Sequence, residues 1–196
     1  MSGRHRRVRC TLGVAGVALL LGAAACGEAG DDRAFVPGDA AREGIAAELD
    51  GIDYEVFVTR QLNTFDPEDE QYFRGPPAPP GSAYYGVFLR ACALDDLERP
   101  VHTSTAIKVV DIRGKEYRPL PLDPDNAFAY RRESLGKGEC FPNSASASSY
   151  GPTGGAMLLF RIPVTQTENR PFELEIEGEP PAPRRPPRLA HFELDL

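Results

Sequence analysis

Between residues 172 and 177 the chain reads FELEIE. Phe172, Leu174 and Ile176 alternate with Glu173, Glu175 and Glu177. Only an extended strand, with side chains on opposite faces at every second residue, separates two such sets. The same period recurs in LAHFELDL at the end of the sequence, where Ala190, Phe192, Leu194 and Leu196 alternate with His191, Glu193 and Asp195. It recurs again in IDYEVFVTRQLN, residues 52–63, through Tyr54, Val56 and Val58. Phe57 interrupts the polar face there, which predicts that this face is partly covered. Two further stretches, AYYGVFLRACAL (83–94) and AMLLFRIP (156–163), are apolar on both faces, the pattern of central strands. The stretch TSTAIKVVDIRGKEYRPLPL predicts a hairpin with strands at 103–111 and 116–120 about a turn at 112–115.

Turn signals separate these stretches. The chain has 19 Pro, 19 Gly and no Trp, so breakers are frequent and long helices are not expected. Pro76, Pro77, Pro79 and Pro80 exclude regular pairing from the loop that follows the first strong strand. DAAREGIAAELDG is expected to hold a helical turn capped by Asp39, and a second short helical turn is expected near 126–131. The serine-rich run after Cys140 reads as loop. The glutamate row of 173–177 is expected to face out, and it would discourage edge-to-edge pairing if this strand is exposed. Together these features predict an all-β fold, an immunoglobulin-like antiparallel β-sandwich of about seven strands. It spans residues 45–196, with a Pro-rich connector at 179–188 and a final strand at 189–195.

The first 25 residues obey other rules. MSGRHRRVRC carries four Arg and no acid, and TLGVAGVALLLGAAA then runs 15 residues without a charge. A bilayer core takes about 20 apolar residues, so residues 1–25 read as a secretory signal and not as a span. The sequence Ala23-Ala24-Ala25-Cys26-Gly27 resembles the lipobox of bacterial lipoproteins, departing from it at Ala23, where Leu is usual. That resemblance implies cleavage before Cys26 and a diacylglycerol on its sulfur. The protein would then be held on the outer face of the cytoplasmic membrane, with residues 26–44 as a flexible tether. Ordinary cleavage at Ala-x-Ala, with Cys26 a bystander, is the alternative.

Cys10 would leave with the signal. If Cys26 is lipidated, Cys92 and Cys140 form an even pair suited to a disulfide in an oxidising compartment; two free buried thiols are the alternative. Without its first 25 residues the chain has 18 basic and 29 acidic residues, a net charge of −11. This excess of acid argues against nucleic acid as a partner. It argues equally against electrostatic adhesion to anionic lipid, which leaves the lipid on Cys26 as the attachment.

The segments YEVFVTRQLN, NAFAY, GPTGGAMLLFRIP and ENRPFELEI together resemble a group of uncharacterised actinobacterial lipoproteins. More distantly they resemble a bacterial telokin-like, immunoglobulin-like domain of unknown function. The resemblance covers about residues 45–196 and rests on order and spacing. It implies a β-sandwich displayed outside the membrane on a lipid anchor, and it carries over no catalytic residue.

Enzyme signatures are absent from the sequence: no G-x-S-x-G, no phosphate loop, no G-x-G-x-x-G and no H-E-x-x-H. Past residue 25 the only histidines are His102 and His191, both expected at the solvated surface. No cofactor is expected. Asp66, Glu68, Asp69 and Glu70 form the strongest metal candidate, against a reading as a solvated acidic loop. Arg60, Gln61, Asn63, Asp66 and Tyr72 form a candidate binding loop, although Arg60 is expected to pair with a carboxylate and lock that loop in place. A second polar loop, 141–153, holds four Ser and Tyr150. The predicted function is a lipid-anchored extracytoplasmic binding module and not an enzyme, its partner an envelope protein or wall component. The alternatives are a solute- or metal-binding accessory lipoprotein and a hydrolase with a nonstandard acidic site at Asp66 and Asp69.

Overall fold

The computed structural model describes residues 40–180 and 186–196. The signal sequence, Cys26, the tether up to residue 39 and residues 181–185 of the Pro-rich connector lie outside the described residues. Twelve described strands follow in chain order: β1 (Ala41–Arg42), β2 (Ala46–Leu49), β3 (Ile52–Leu62), β4 (Ser82–Ala93), β5 (Val101–His102), β6 (Ile107–Asp111), β7 (Glu116–Tyr117), β8 (Ser134–Leu135), β9 (Cys140–Phe141), β10 (Ala156–Pro163), β11 (Phe172–Glu177) and β12 (Leu189–Leu194). Seven of them have four residues or more, which is the sandwich of about seven strands that the alternation predicts. No described helix is long and apolar enough to cross a membrane.

One sheet is ordered β1-β12-β11-β6-β7 and the other β10-β4-β3-β2, with β9 also paired to β4. The short pair β5-β8 stands apart from both. All strand pairings are antiparallel except β1 with β12. Period-two alternation sends Tyr54, Val87, Leu89 and Phe160 of one sheet against Val109, Leu174, Ile176 and Phe192 of the other, and these fill the inter-sheet core.

A second core covers the outer face of the β10-β4-β3-β2 sheet. Tyr84, Phe88, Met157 and Leu159 point outward from β4 and β10 and are buried under Tyr72 and Phe128, which arrive on the loops after β3 and β7. This explains why 83–94 and 156–163 are apolar on both faces. β3 joins the same arrangement through a bulge. Its register against β4 shifts between Val56 and Val58, and one extra residue at Phe57 reverses the faces that follow. Tyr54 and Val56 therefore enter the inter-sheet core, while Val58 and Leu62 enter the second one.

Four local expectations are corrected. Asp39, the expected cap, lies outside the described residues, and residues 40–51 form no helix: they make β1 on one sheet and β2 on the other, switching between them at Gly44, whose φ is +81°. A glycine adopts that left-handed backbone without steric cost, and its N–H donates to the carbonyl of Val56 at 2.7 Å. Ala-rich helix propensity loses here to the pairing available along two open sheet edges. The last residues assigned to the tether are thus part of the sandwich. The segment 126–131 is not helical either, because it runs along the free edge of β10, where Met157 N donates to Phe128 O and Tyr130 N to Met157 O. The serine run instead holds a one-turn helix, α1 (Ala147–Tyr150). Finally, the glutamate row does not open to solvent: β11 lies between β12 and β6, and Glu173 and Glu175 are buried. Glu175 is neutralised by Lys108 at 3.3 Å, and Glu173 lies 3.5 Å from His191.

Candidate functional site

The candidate binding loop is fastened to the fold by its own polar residues. The Arg60 guanidinium, at the end of β3, pairs with Asp69 and lies 5.8 Å from the centre of the Tyr72 ring. The other Asp69 oxygen accepts the backbone N–H of Asn63 at 2.8 Å. Tyr72 is buried with its ring edge-on to Phe88 and Phe128, at 5.0 and 4.9 Å. Arg60, Asn63 and Tyr72 therefore hold the loop against the second core, while Gln61 stays exposed. Asp66 accepts the N–H of Glu68 at 2.9 Å and shapes the turn. Of the four candidate metal ligands, Asp69 turns inward to Arg60 while Glu68 and Glu70 remain exposed. Among the described residues no group of three or more His, Cys, Asp or Glu side chains is placed to hold a metal ion.

In the loop 141–153 three of the serines bond within the loop, while the buried Thr153 hydroxyl has no partner among the described residues. Ser146 Oγ lies 3.1 Å from both Ser148 Oγ and Ser149 Oγ, and Ser149 donates to the Asn143 carbonyl at 2.6 Å. Tyr150 projects into solvent. Cys92 and Cys140 stand directly opposite each other on β4 and β9 and are disulfide-bonded. That bond forms and persists in oxidising compartments.

A different place carries unspent polar chemistry. At the end of the sandwich where β12 begins, a cleft of about 610 Å³ opens between the β2–β3 turn, the end of β11 and the segment 99–106. Its floor is the Tyr54 phenol, which accepts the N–H of Ser104 at 2.9 Å. Beside it Tyr130 donates to the Ser104 carbonyl at 2.9 Å. Burial raises both phenols above the ordinary tyrosine value, Tyr130 the more strongly, so both stay protonated.

Asp50 and Gly178 form one wall. The Asp50 carboxylate takes Arg188 at 2.5 Å and the N–H of Glu179 at 2.6 Å. A side chain on Gly178 would place its Cβ 2.2 Å from Asp50 Oδ2, so the wall closes only because residue 178 has none.

The rest of the lining mixes basic and acidic residues, Glu177 and Glu179 among them. Arg99, His102, Thr105 and Arg132 belong to it too. Thr103, wholly buried, staples the two segments that carry them. Its N–H donates to Glu133 O at 3.0 Å, its hydroxyl donates to Arg131 O at 3.0 Å, and the same hydroxyl accepts the N–H of Glu133 at 2.8 Å. The β5-β8 pairing of His102 with Ser134 continues that seam. The sequence reading places His102 at the surface, which holds, but misses Arg99, Thr105 and Arg132. No local motif marks them, because they meet only through a pairing some 30 positions apart along the chain.

No family model matches this sequence, and no curated protein matches it. The telokin-like and actinobacterial resemblance therefore has no family match behind it. Two solved structures from Bacillus subtilis are similar in fold. One is described as a "putative lipoprotein (ycdA)", with a TM-score of 0.47 and 8% identity over 76% of this chain; the chain spans 38% of that protein's length. The other is the yjhA protein, with a TM-score of 0.45 and 8% identity over 79% of this chain and 99% of its own. At these scores neither likeness bears on function.

Proposed function

We propose that this protein is an extracytoplasmic binding module, tethered to the outer face of the membrane by lipid on Cys26, whose binding end is the cleft beside Tyr54 and Ser104. The Cys92–Cys140 disulfide carries this reading. It belongs to an exported chain. It also accounts for both cysteines of the sandwich, so that once Cys10 is removed with the signal Cys26 is the one cysteine left over. A lone cysteine directly after Ala23-Ala24-Ala25, at the start of a polar segment, is the substrate of lipoprotein processing.

The binding role is supported by the contrast between the loops. Those singled out by composition are consumed in holding the fold, whereas the cleft wall presents side chains that the fold does not use. The serine hydroxyls near α1 are bonded to one another, and Asp69 of the 66–70 loop is taken by Arg60. The test is metabolic labelling with a clickable palmitate analogue. Wild-type protein takes up label and floats with membranes, and Cys26→Ala does neither. Label that persists in Cys26→Ala, or wild-type protein recovered unlabelled in the medium, overturns the anchor.

A further inference from the structure

We infer that Glu173 and His191 share one proton as a latch that sets how firmly the final strand, β12, is held to β11. The latch depends neither on lipid at Cys26 nor on the cleft.

The first argument is the company each buried acid keeps. Among the described residues the buried carboxylates are Asp69, Asp111, Glu173 and Glu175. Asp69 is met by Arg60 and by the N–H of Asn63. Asp111 accepts the N–H groups of Arg113 and Lys115, both at 2.9 Å. Glu175 lies 3.3 Å from Lys108. Lysine, arginine and backbone N–H partners do not change with pH near neutrality. Glu173 differs. Among the described residues its one ion-pair partner is the imidazole of His191, with Nδ1 3.5 Å from Oε2. An imidazole is a cation only while protonated. A buried carboxylate beside a neutral ring is uncompensated, so the pair needs one proton, on the ring or on the carboxyl.

The second argument is register, which supplies no substitute for that proton. Glu173 stands directly opposite Glu193 on β12 and Val110 on β6. Like charges opposed across two strands repel. Arg42 of β1 stands opposite Glu193, and both are exposed. On the other side Lys108 is shared by Glu175 and Glu116, and Arg118 reaches Glu116 at 3.7 Å. Burial raises the Glu173 carboxyl above its ordinary value; His191 opposes the rise, and Glu175 and Glu193 add to it. The His191 side chain is 31% exposed, which gives the proton a path to solvent.

The third argument is position. In its sheet β12 has β11 on one side and only the two-residue strand β1 on the other. The Glu173–His191 contact lies across the longer of these seams. Phe192 and Leu194 anchor the inward face of β12 in the core, so the proton changes how often the strand opens and not where it lies. Opening parts the pair and returns Glu173 to water, where its carboxyl gives up the proton more readily. The closed strand therefore binds more protons than the open one. Its hold is firmest at low pH, and weakens as pH rises from the ordinary glutamate value, near 4.5, through the higher value of the closed state.

The test is hydrogen exchange on full-length exported protein in neutral detergent at pH 4.5, 6 and 7.5, with each rate corrected for the intrinsic pH dependence of amide exchange. Protection over residues 189–194 is divided by that over the central strand, residues 84–91. In wild type this ratio is expected to fall about threefold or more between the lowest and the highest pH. In Glu173→Gln, which carries no titrating carboxyl, it is expected to stay level, and in Glu193→Gln to fall less than in wild type. A level ratio in wild type, or the wild-type fall persisting in Glu173→Gln, overturns the latch. Should Glu173→Gln fail to fold, Glu193→Gln, altered at an exposed side chain, decides: a lessened fall supports the latch, and an unchanged fall overturns it.

Discussion

Glu43 holds Asp195: one oxygen of its carboxylate accepts the backbone N–H of Asp195 at 3.1 Å, while the other accepts the N–H of Thr59 at 3.2 Å. A single side chain between β1 and β2 thus ties the end of the last strand in one sheet to β3 in the other. Both bonds are near solvent, which limits their worth to about 1 kcal/mol together. Glu43→Ala is expected to lower the unfolding free energy in urea by that amount, and Glu43→Gln by less, since one amide oxygen still accepts. The same loss in both variants would refute the account.

Arg60 and Asp69 fasten the long loop, and Asp69 is nearly all buried. Removing the cation leaves a buried carboxylate with one remaining donor, the N–H of Asn63. Arg60→Ala is expected to cost about 2 kcal/mol and to expose the loop 63–81 to limited proteolysis. Cleavage at the wild-type rate would mean that Tyr72 alone secures it.

Cys92 and Cys140 close a separation of 48 residues. By chain entropy the bond contributes about 4 kcal/mol. Denaturation with and without reductant, compared with Cys92→Ala/Cys140→Ala, measures it. Reductant is expected to move the wild-type midpoint down and to leave the double variant where it is.

Gly178 has no room for a methyl group beside Asp50. Gly178→Ala is expected to destabilise by about 1–3 kcal/mol, and Asp50→Ala to suppress most of that effect in a double-mutant cycle. Additive losses would show that the crowding lies elsewhere.

Burial raises the Glu173 carboxyl above its ordinary value near 4.5, and Glu175 and Glu193 add to the rise, while His191 opposes it. A carboxyl whose pKa is higher in the folded state binds more protons there. Its contribution to stability is full below the unfolded value and is lost as pH rises through the folded one. The stability of wild type minus that of Glu173→Gln is therefore expected to fall as pH is raised from 4 to 7. A flat difference would mean that the paired His191 cancels the effect of burial.

Strand positions were legible in the sequence because period-two alternation is local. Phe172, Leu174 and Ile176 face the core as their spacing says, and the two-faced apolar runs are the strands buried on both sides. Strand neighbours were not legible. Whether Glu173 and Glu175 lie at an edge depends on Lys108 and His191, which come from other strands. Residues 41–49 look helical by composition, and only the open edges of two sheets make them strands. The role of Arg60 was readable, since a cation beside an acidic loop is a local fact. The cleft was not: Arg99, Thr105 and Arg132 meet through the buried Thr103, and no spacing rule announces that meeting.

The switch of the N-terminal strand between sheets has a mechanical consequence. Among the described residues a pull on the N-terminal side of the chain meets Ala41–Arg42 first, whose pairing with β12 is two residues long. Peeling that pair as far as Gly44 frees about 13 Å of chain and leaves the inter-sheet core and the disulfide intact. A short yielding element thus stands ahead of a stiff one, so tension on that side of the chain is taken up as slack before it reaches the core.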